Sequence, residues 1–489
     1  MGSARSLKNL ISDLSKLWGT HTHNPQLKLF VSALVDHNPR NSTEEIISWL
    51  KELNGKQYFN VEEIEFSAMQ QWAYNSQTQD LEHKSGKFFS ITGMEVYDAQ
   101  SGKRVWDQPI IDQPEIGVLG ILCKEIDGVL CLLMQAKAEP GNLNTYQLSP
   151  TVQATRSNYL QVHGGRRTKY LEFFNGDKPV EVVLDQYQSE QGARFLHKRN
   201  RNILVICDQE EDIDCSDNYR WITLGQLKTL MEIDNTVNMD SRSIISMIDY
   251  AISDCPVDAK RLLLVLNEYR DMIIRSDFWI KTICSYLSKA KPDISIARNS
   301  LTWRRYYQHF GTRRKALRSV QDWDVNNRSM DHKSGKYFQV LAVRVTANNR
   351  EVDFWDQPII RQRHHGDIAL LCNECEDEIG FLVHMKHEPG LYDMIEYAPT
   401  VQCIAENYDN DHLPPYYHLL KSGQAVYSAY QSEEGGRFYQ ECSRNQIIVM
   451  PDIRERQIGF VLLNLGHLKQ MLQYQQMINV ELRSLLAYF

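Results

Sequence analysis

The sequence predicts an α+β fold built from two tandem, duplicated modules. Strings of residues in the first half recur 249 positions later, over a stretch of about seventy residues without a gap. In each copy, two short apolar segments separated by turn residues indicate a β-hairpin. Helical patterns precede them, which favours a mixed or antiparallel sheet flanked by helices. A repeat this long is a duplicated domain, because solenoid and propeller repeats have periods of about 20–50 residues.

The two copies share five strings, which form a two-row alignment. Positions that are identical in both copies are candidates for a common fold or a common site, and positions that differ indicate divergence. The strings are 83–87 and 332–336 (HKSGK), 106–111 and 355–360 (WDQPII), 137–141 and 386–390 (KxEPG), 150–153 and 399–402 (PTVQ), and, after a short deletion, 187–194 and 430–437 (YQSExGxR).

Each module begins with helices and continues with strands. Ser42 and Glu45 form a capping-box pattern before an amphipathic stretch, and residues 259–289 are the helical counterpart in the second copy. An acidic stretch at 208–218 has the composition of a loop. The predicted strands are 88–97, 116–122 and 129–134 in the first copy, and 337–345, 368–372 and 379–385 in the second.

Bulk properties limit the class of protein. The 489 residues divide into modules 1–253 and 254–489, and the net charge of −8 argues against a general nucleic-acid-binding protein. No apolar run reaches the ~20 residues of a membrane helix, and the N-terminus lacks a secretory segment. The ten cysteines are scattered, and the lone Cys372-x-x-Cys375 has no second pair. They indicate reduced thiols in a cytoplasmic protein.

The segment after the second hairpin strand carries the densest set of reactive side chains. If that strand continues, His384, Lys386 and Glu388 lie on one face, because alternate residues of a strand point the same way. An imidazole, an ammonium and a carboxylate together can bind an anion and transfer a proton. The first copy keeps Lys137 and Glu139 but has neither of the second copy's histidines. The two copies are therefore predicted to differ in chemistry.

Two other strings point to ligand binding. Trp106 and Trp355 either stack on a base or sugar, with the following aspartate and glutamine bonding its polar edge, or pack in the core where a turn enters a strand. Arg194 and Arg437 follow a small-residue turn, where a guanidinium can bind phosphate bidentately. This string is similar in part to the metal-binding box of Nudix hydrolases, but the further carboxylates of that box are missing. No metal site is predicted.

Four of the strings together resemble the NDP-hexose 2,3-dehydratase family over nearly the whole chain. They are HKSGK with its two following aromatic residues, WDQPI, EPG with PTVQ, and SExGxR. The resemblance implies tandem Nudix-like modules, a homodimer, and a dTDP-4-keto-6-deoxyglucose-type substrate, with one pocket catalytic and the other a relic. It implies a lyase that removes water across C2–C3 to give a 3,4-diketo-2,6-dideoxy sugar nucleotide, in deoxysugar and antibiotic biosynthesis. This change is redox-neutral, so no cofactor is expected.

The resemblance also gives the residues hypothetical roles. His384 or Glu388 takes the C3 proton, and Lys386 stabilises the enolate. Tyr392 or Tyr397 is the acid. The second copy is preferred as the catalytic one because it has the richer set of titratable groups. The matching residues of the first copy are Lys137, Glu139 and Tyr146.

Two other functions remain open at this point: a Nudix-type hydrolase that cleaves a nucleoside-diphosphate sugar, and a non-catalytic nucleotide-sugar-binding protein. Neither nucleic acid nor a membrane is an expected partner. The expected substrate-binding residues are Trp106, Asp107, Gln108, Tyr146, Ser189, Arg194, Trp355, Asp356, Gln357, Gln402, Ser432 and Arg437.

Overall fold

The structure is a computed structural model that describes residues 6–56, 58–155, 168–215, 218–252, 256–348, 352–375, 378–453 and 457–489. The expected module boundary, between 253 and 254, and part of the acidic stretch at 208–218 lie outside these residues. Within them are ten α-helices: α1 Leu7–Trp18, α2 Pro25–Leu34, α3 Thr43–Lys56, α4 Leu224–Leu230, α5 Met239–Ser246, α6 Ala259–Glu268, α7 Asp277–Leu287, α8 Ser295–Tyr306, α9 Leu465–Met471 and α10 Val480–Leu486.

The strands fall into a first-half set and a second-half set. Those of the first half are β1 Phe59–Ile64, β2 Trp72–Tyr74, β3 Leu81–His83, β4 Ser90–Asp98, β5 Arg104–Asp112, β6 Val118–Ile126, β7 Val129–Ala138, β8 Tyr146–Ser149, β9 Val152–Ala154, β10 Glu181–Ser189, β11 Phe195–Leu196, β12 Arg199–Ile206 and β13 Tyr219–Thr223. Those of the second half are β14 Phe310–Lys315, β15 Trp323–Val325, β16 Ser329–His332, β17 Phe338–Ala347, β18 Phe354–Gln362, β19 Gly366–Cys375, β20 Glu378–His387, β21 Ile395–Ala398, β22 Val401–Cys403, β23 Gln424–Ser432, β24 Cys442–Val449 and β25 Phe460–Asn464.

Each half contains a seven-stranded mixed sheet, which confirms the predicted α+β class. In the first half the order is β10-β12-β6-β7-β13, with β8 beside β7 and β9 beside β6. The second half repeats this arrangement with β23-β24-β19-β20-β25, β21 and β22. In both sheets one central pair is parallel, β12 with β6 and β24 with β19. The two sheets therefore have the same topology.

Local sequence signals account for individual elements. The predicted hairpin of the first copy is β6 and β7, and its turn residues Asp127 (φ 49°) and Gly128 (φ 87°) both have the positive φ that a type I′ turn requires. The capping box is present before α3. The Ser42 backbone N–H donates to the Glu45 carboxylate at 2.7 Å, and the Glu45 N–H donates to the Ser42 hydroxyl at 3.1 Å.

The two halves exchange a strand. β1, from the first half, pairs antiparallel with β17 of the second half, and β14, from the second half, pairs antiparallel with β4 of the first. Arg314 on β14 reinforces the second exchange with ion pairs to Asp80 (2.9 Å) and Asp112 (2.7 Å). Each of the two smaller sheets is therefore completed by the other half of the chain.

The halves also meet at α5 and α10. Arg242 donates to the Ser484 hydroxyl at 2.7 Å, and Arg483 donates to the Ser243 hydroxyl at 2.9 Å, so the same contact is made in both directions. The largest hydrophobic cluster contains residues of both halves. None of the described helices is long and apolar enough to span a membrane.

Candidate functional site

Two equivalent sites form where the KxEPG segment of one half meets the SExGxR loop of the other. The Gly141 N–H donates to the Gly435 carbonyl at 2.7 Å, and the Gly390 N–H donates to the Gly192 carbonyl at 2.6 Å. We call the site around Lys137 and Glu139, closed by loop 432–437, site I. The site around Lys386 and Glu388, closed by loop 189–194, is site II. Each site is thus composed from both halves.

The glycine of KxEPG is required by this meeting of backbones. A Cβ on Gly390 would lie 2.0 Å from the carbonyl oxygen of Phe195, and one on Gly141 would lie 1.6 Å from that of Phe438. Both distances are far below van der Waals contact, so a side chain would separate the loop from the strand end. The shared EPG string therefore reflects contact between the halves.

Site II is centred on a buried ion pair. Lys386 and Glu388 lie on one face of the strand end, as the alternation predicts, with 3.1 Å between Nζ and Oε1. The carboxylate of Glu388 also accepts hydrogen bonds from Gln402 (3.1 Å) and from the Gly192 N–H (3.0 Å). Burial alone raises the pKa of a carboxyl, but Lys386 and these hydrogen bonds hold the pKa of Glu388 below its ordinary value. At neutral pH the pair is ionised.

Site I has the same pair in a more enclosed setting. Lys137 and Glu139 are also 3.1 Å apart, and Gln153 donates to Glu139 at 3.2 Å. The side chain of Lys137 is 8% exposed, whereas that of Lys386 is 24% exposed. An ammonium at site II can therefore reach a ligand more easily than its counterpart at site I.

Glu396, which sequence reasoning missed, is a further titratable group of site II. It lies on β21 directly across from Lys386 and accepts a 2.7 Å hydrogen bond from the Ser189 hydroxyl of the opposing loop. Burial raises the pKa of Glu396 to about 7, although the hydrogen bond from Ser189 and the charge of Arg483 both act to lower it. At the equivalent position of site I, Gln147 donates to the Ser432 hydroxyl at 2.6 Å. This Gln/Glu difference at matched positions was a readable signal in the sequence.

The arginines of the SExGxR loops stack on aromatic rings of the other half. The Arg194 guanidinium lies 4.3 Å from the centre of the Phe338 ring, and that of Arg437 lies 4.1 Å from the centre of the Phe89 ring. The aromatic residues that follow HKSGK supply these rings. The buried Nε of Arg194 has no hydrogen-bond partner, so Arg194 offers site II a donor for an anionic ligand.

The glutamine of WDQPII fixes the arginine loop of its own half. Gln108 donates to the Ala193 carbonyl at 2.9 Å, and Gln357 donates to the Gly436 carbonyl at 2.7 Å. Each acceptor precedes the loop arginine directly. Gln108 and Gln357 therefore position the arginines through the loop backbone.

The tryptophan and aspartate of WDQPII hold the exchanged strands. Trp106 contacts Phe310 of β14 with ring centres 6.1 Å apart, and Trp355 contacts Phe59 of β1 at 6.3 Å. Both indoles are partly buried and pack against small hydrophobic clusters, within strands β5 and β18 and not at a turn, and the ligand-stacking interpretation stays a prediction. Asp356 accepts the Gln70 N–H at 2.7 Å, in the segment that follows β1. These residues anchor the exchange and lie outside the ion-pair clusters.

Asp107 makes the strongest of these anchoring contacts. Its side chain is fully buried and accepts from Lys315 Nζ at 2.7 Å and from the Gln321 N–H at 2.9 Å, both in the other half. Arg104 adds a third bond at 3.1 Å. Burial acts to raise the pKa of Asp107, yet these partners hold it below its ordinary value. The carboxylate is therefore ionised and tied to the exchanged strand.

We expect Asp107→Asn to lower the free energy of unfolding by about 2–4 kcal/mol, because it leaves two cations without their buried counter-ion. Chemical denaturation of the variant measures this effect. Asp322→Asn is the matched control: Asp322 also pairs with Arg104 but is 40% exposed, so its loss is expected to cost less than about 1 kcal/mol. Equal losses in the two variants would contradict the anchoring role.

The remaining predicted residues lie at different distances from the ion pairs. Tyr397 is buried, donates to the Ala297 carbonyl at 2.9 Å and has its pKa raised to about 12 by burial. Tyr146 is buried in the hydrophobic core. Tyr392 is 47% exposed and stacks on His197, with ring centres 4.9 Å apart. Tyr397 and Tyr146 thus lie in the core and Tyr392 at the surface, and the acid role of Tyr392 or Tyr397 stays a prediction.

His384 is held flat against Phe460, with ring centres 4.4 Å apart and planes 7° from parallel. Burial lowers the pKa of His384 to about 4, and the charges of Lys386 and Arg304 act in the same direction. The imidazole is thus neutral at pH 7 and a weak proton acceptor.

A cavity of about 260 Å³ lies between the end of β18 and the starts of β19 and β24. Its wall includes Gln362, the cross-strand partner of the Phe338 on which Arg194 stacks, and Glu441, whose charge interacts with Arg194. The cavity is therefore linked to Arg194 through its wall and is separate from the residues that surround Lys386 and Glu388. Within the described ranges, no three His, Cys, Asp or Glu side chains are grouped so as to hold a metal ion.

Comparison with known proteins gives matches over both halves. A family model described as NDP-hexose 2,3-dehydratase matches residues 43–248 and 297–489. The chain is 39% identical over 468 residues to a protein of Saccharopolyspora spinosa named dTDP-4-dehydro-6-deoxy-alpha-D-glucopyranose 2,3-dehydratase, covering 93% of each. Proteins of the same name from Amycolatopsis orientalis and Streptomyces violaceoruber are 35% identical over 478 residues (95% of this chain, 94% of the relative) and 33% identical over 452 residues (90% and 95%).

Proposed function

The chain belongs to the NDP-hexose 2,3-dehydratase family, and on that premise we propose that it dehydrates a dTDP-4-keto-6-deoxyhexose across C2–C3. The product is a 3,4-diketo-2,6-dideoxy sugar nucleotide, an intermediate of deoxysugar biosynthesis. The observation that carries the proposal is the ionised Lys386–Glu388 pair of site II, closed by the loop that carries Arg194, whose Nε has no hydrogen-bond partner. The curated relatives have this activity in their names, which gives the hydrolase and binding-protein alternatives no support.

The ion pair suits the first chemical step. The C3 proton is acidic because it lies α to the C4 ketone, and a positioned carboxylate such as Glu388 can remove it. Negative charge then develops on the C4 oxygen, where the ammonium of Lys386 stabilises it. Expulsion of the C2 hydroxyl follows, because C2 lies β to the ketone.

The arginine suits the nucleotide end of the substrate. A guanidinium held flat on a ring keeps its edge free for two parallel hydrogen bonds to phosphate oxygens. At site II this group is Arg194, which stacks on Phe338. We therefore assign diphosphate binding at site II to the loop of the first half.

Site II is our choice for the reacting site. Lys386 is more exposed than Lys137, and the site includes the titratable carboxyl of Glu396. In this proposal site I is the relic pocket. The same proposal takes the two halves as Nudix-like modules divided at 253/254, in a cytoplasmic homodimer.

The test is incubation of the purified chain with dTDP-4-keto-6-deoxyglucose in the presence of a chelator. The expected product is a nucleotide sugar lighter by one water, detected by mass spectrometry. Release of a nucleoside monophosphate would instead indicate hydrolysis. An unchanged substrate that still binds would indicate a binding protein.

A further inference from the structure

Glu396 has a role that the ion pair alone does not supply. We propose that Glu396 is the proton donor to the departing C2 hydroxyl at site II, and that Gln147 leaves site I without this donor. The inference rests on the proposed dehydration. The assignment identifies the general acid of the reaction. It also gives a chemical reason why site I and site II differ.

The position of Glu396 fits this role. It is the cross-strand neighbour of Lys386, so its carboxyl lies on the same side of the sheet as the group that stabilises the enolate. Its side chain is 1% exposed, and one oxygen is fixed by the Ser189 hydroxyl. In this proposal the other oxygen carries the proton that a ligand beside Lys386 receives.

The charged surroundings of Glu396 come from several elements. Arg483 of α10 and Arg305 near the end of α8 favour its ionised form, while burial and the neighbouring charge of Glu388 favour its protonated form. Lys386 faces it from β20. Because the pKa is raised to about 7, a large fraction of Glu396 carries a proton at neutral pH.

Site I provides an internal comparison. Its lysine–glutamate pair has the same 3.1 Å separation as that of site II. Gln147 lies across from Lys137 and contacts Ser432 as Glu396 contacts Ser189. The amide reproduces the packing and the hydrogen bond but has no acidic proton. The difference at this position is therefore chemical and not geometric.

Two other buried carboxyls of site I, Asp240 and Glu434, do not replace Glu396. Asp240 of α5 interacts with Lys137 and Glu139, but Glu481 of α10 stands at the same place in site II and interacts with Lys386 and Glu388, so this pair does not distinguish the sites. Glu434 stands in the SExGxR loop, where site II has Gln191, and its charge interacts with Arg437 and Glu139. It reaches the site from the loop side and not from β8, the strand that pairs with the lysine strand. Site I thus has a carboxyl on the arginine side and none across from its lysine.

Two carboxyls carry all the protons in the proposed reaction. Glu388 takes the C3 proton, and the electron pair of that bond forms the enolate. The electron pair of the enolate then forms the C2–C3 double bond while the C2–O bond breaks. Glu396 gives its proton to the leaving hydroxyl, which departs as water. Finally the C3 enol returns its hydroxyl proton to Glu396, and Glu388 returns its proton to C2. The substrate loses one water and both carboxyls regain their starting states.

The test is Glu396→Gln, assayed for two events with dTDP-4-keto-6-deoxyglucose in deuterium oxide. Loss of water is expected to slow by about 100- to 10,000-fold, as for removal of a general acid. Exchange of the C3 hydrogen with solvent, followed by NMR, is expected to persist, because Glu388 and Lys386 remain. Glu374→Gln, which removes an exposed carboxylate paired with Lys281 on the same half, is expected to retain both activities.

Several results would overturn the assignment. They are full water loss by Glu396→Gln, loss of C3 exchange in the folded variant, or loss of elimination in Glu434→Gln while Glu396→Gln eliminates normally. If the unaltered protein gives no water loss, the proposed function fails and this inference fails with it. Water loss at equal rates by the unaltered protein and by Glu396→Gln would contradict the role of Glu396 but not the proposed dehydration.

A second variant covers the case in which Glu396→Gln does not fold. Ser189→Ala removes a hydrogen bond that favours the ionised form of Glu396, so the pKa of Glu396 should rise. An acid must be protonated to act, so kcat is present below this pKa and lost as the pH rises through it. The decline of kcat at high pH should therefore move to higher pH in Ser189→Ala, and an unmoved decline would overturn the proposal.

Discussion

Replacing Glu388 with glutamine is expected to lower kcat for water loss by about 100- to 10,000-fold. Glutamine preserves the size of the side chain and can still bond to Gln402, but it cannot accept the C3 proton. It also removes the negative partner of Lys386, whose pKa Glu388 raises against the effect of burial. Initial rates of water loss, with nucleotide-sugar affinity measured in parallel, will show whether the loss lies in chemistry or in binding.

Glu139→Gln is the matched comparison at site I. It makes the same change in an ion pair of the same length, and we expect it to lower kcat by less than about tenfold. C3 exchange should disappear in Glu388→Gln and persist in Glu139→Gln. Full activity of Glu388→Gln, or a loss confined to Glu139→Gln, would move the reaction to site I.

The sequence was sufficient for features that depend on local patterns. Strand alternation placed Lys386 and Glu388 on one face, where they form an ion pair. The Asp127–Gly128 dipeptide predicted a hairpin turn, because both residues tolerate positive φ. The repeat predicted two equivalent sites, whereas their divergence in chemistry stays a prediction. Each of these inferences needed only residues close in the chain or matched between the copies.

The exchange between the halves could not be predicted from these patterns. Because the copies are similar, β1 can satisfy its backbone hydrogen bonds equally well on β4 or on β17, and only the assembled fold decides. The role of Asp107 was hidden for the same reason, since its partner Lys315 is 208 residues away. The alignment of the two copies shows that Glu396 replaces Gln147. Only the fold shows that Glu396 lies across from Lys386.

Because each site is built from residues of both halves, we expect a second large effect from Arg194→Met. Arg194 belongs to the first half, but its loop supplies the Gly192 N–H to Glu388 and its guanidinium stacks on Phe338 of the second half. Methionine keeps the length of the side chain and its contact with the ring, while the charge and the phosphate donors are lost. We expect KM for the nucleotide sugar to rise by about 10- to 100-fold, as for loss of a hydrogen bond to a charged group.

Comparison with Arg437→Met distinguishes a reacting site that is shared by the two halves from one that is contained in a single half. Arg437 lies in the same half as Glu388, yet its charge interacts with Glu139, and it stacks on Phe89 of the first half. If the reacting site is composed across the halves, Arg194→Met impairs turnover more than Arg437→Met does. If each half were self-contained, the order would be reversed, since Arg437 would then serve Glu388. Because the two variants make the same chemical change in equivalent loops, a difference between their KM values reports which loop closes the reacting site.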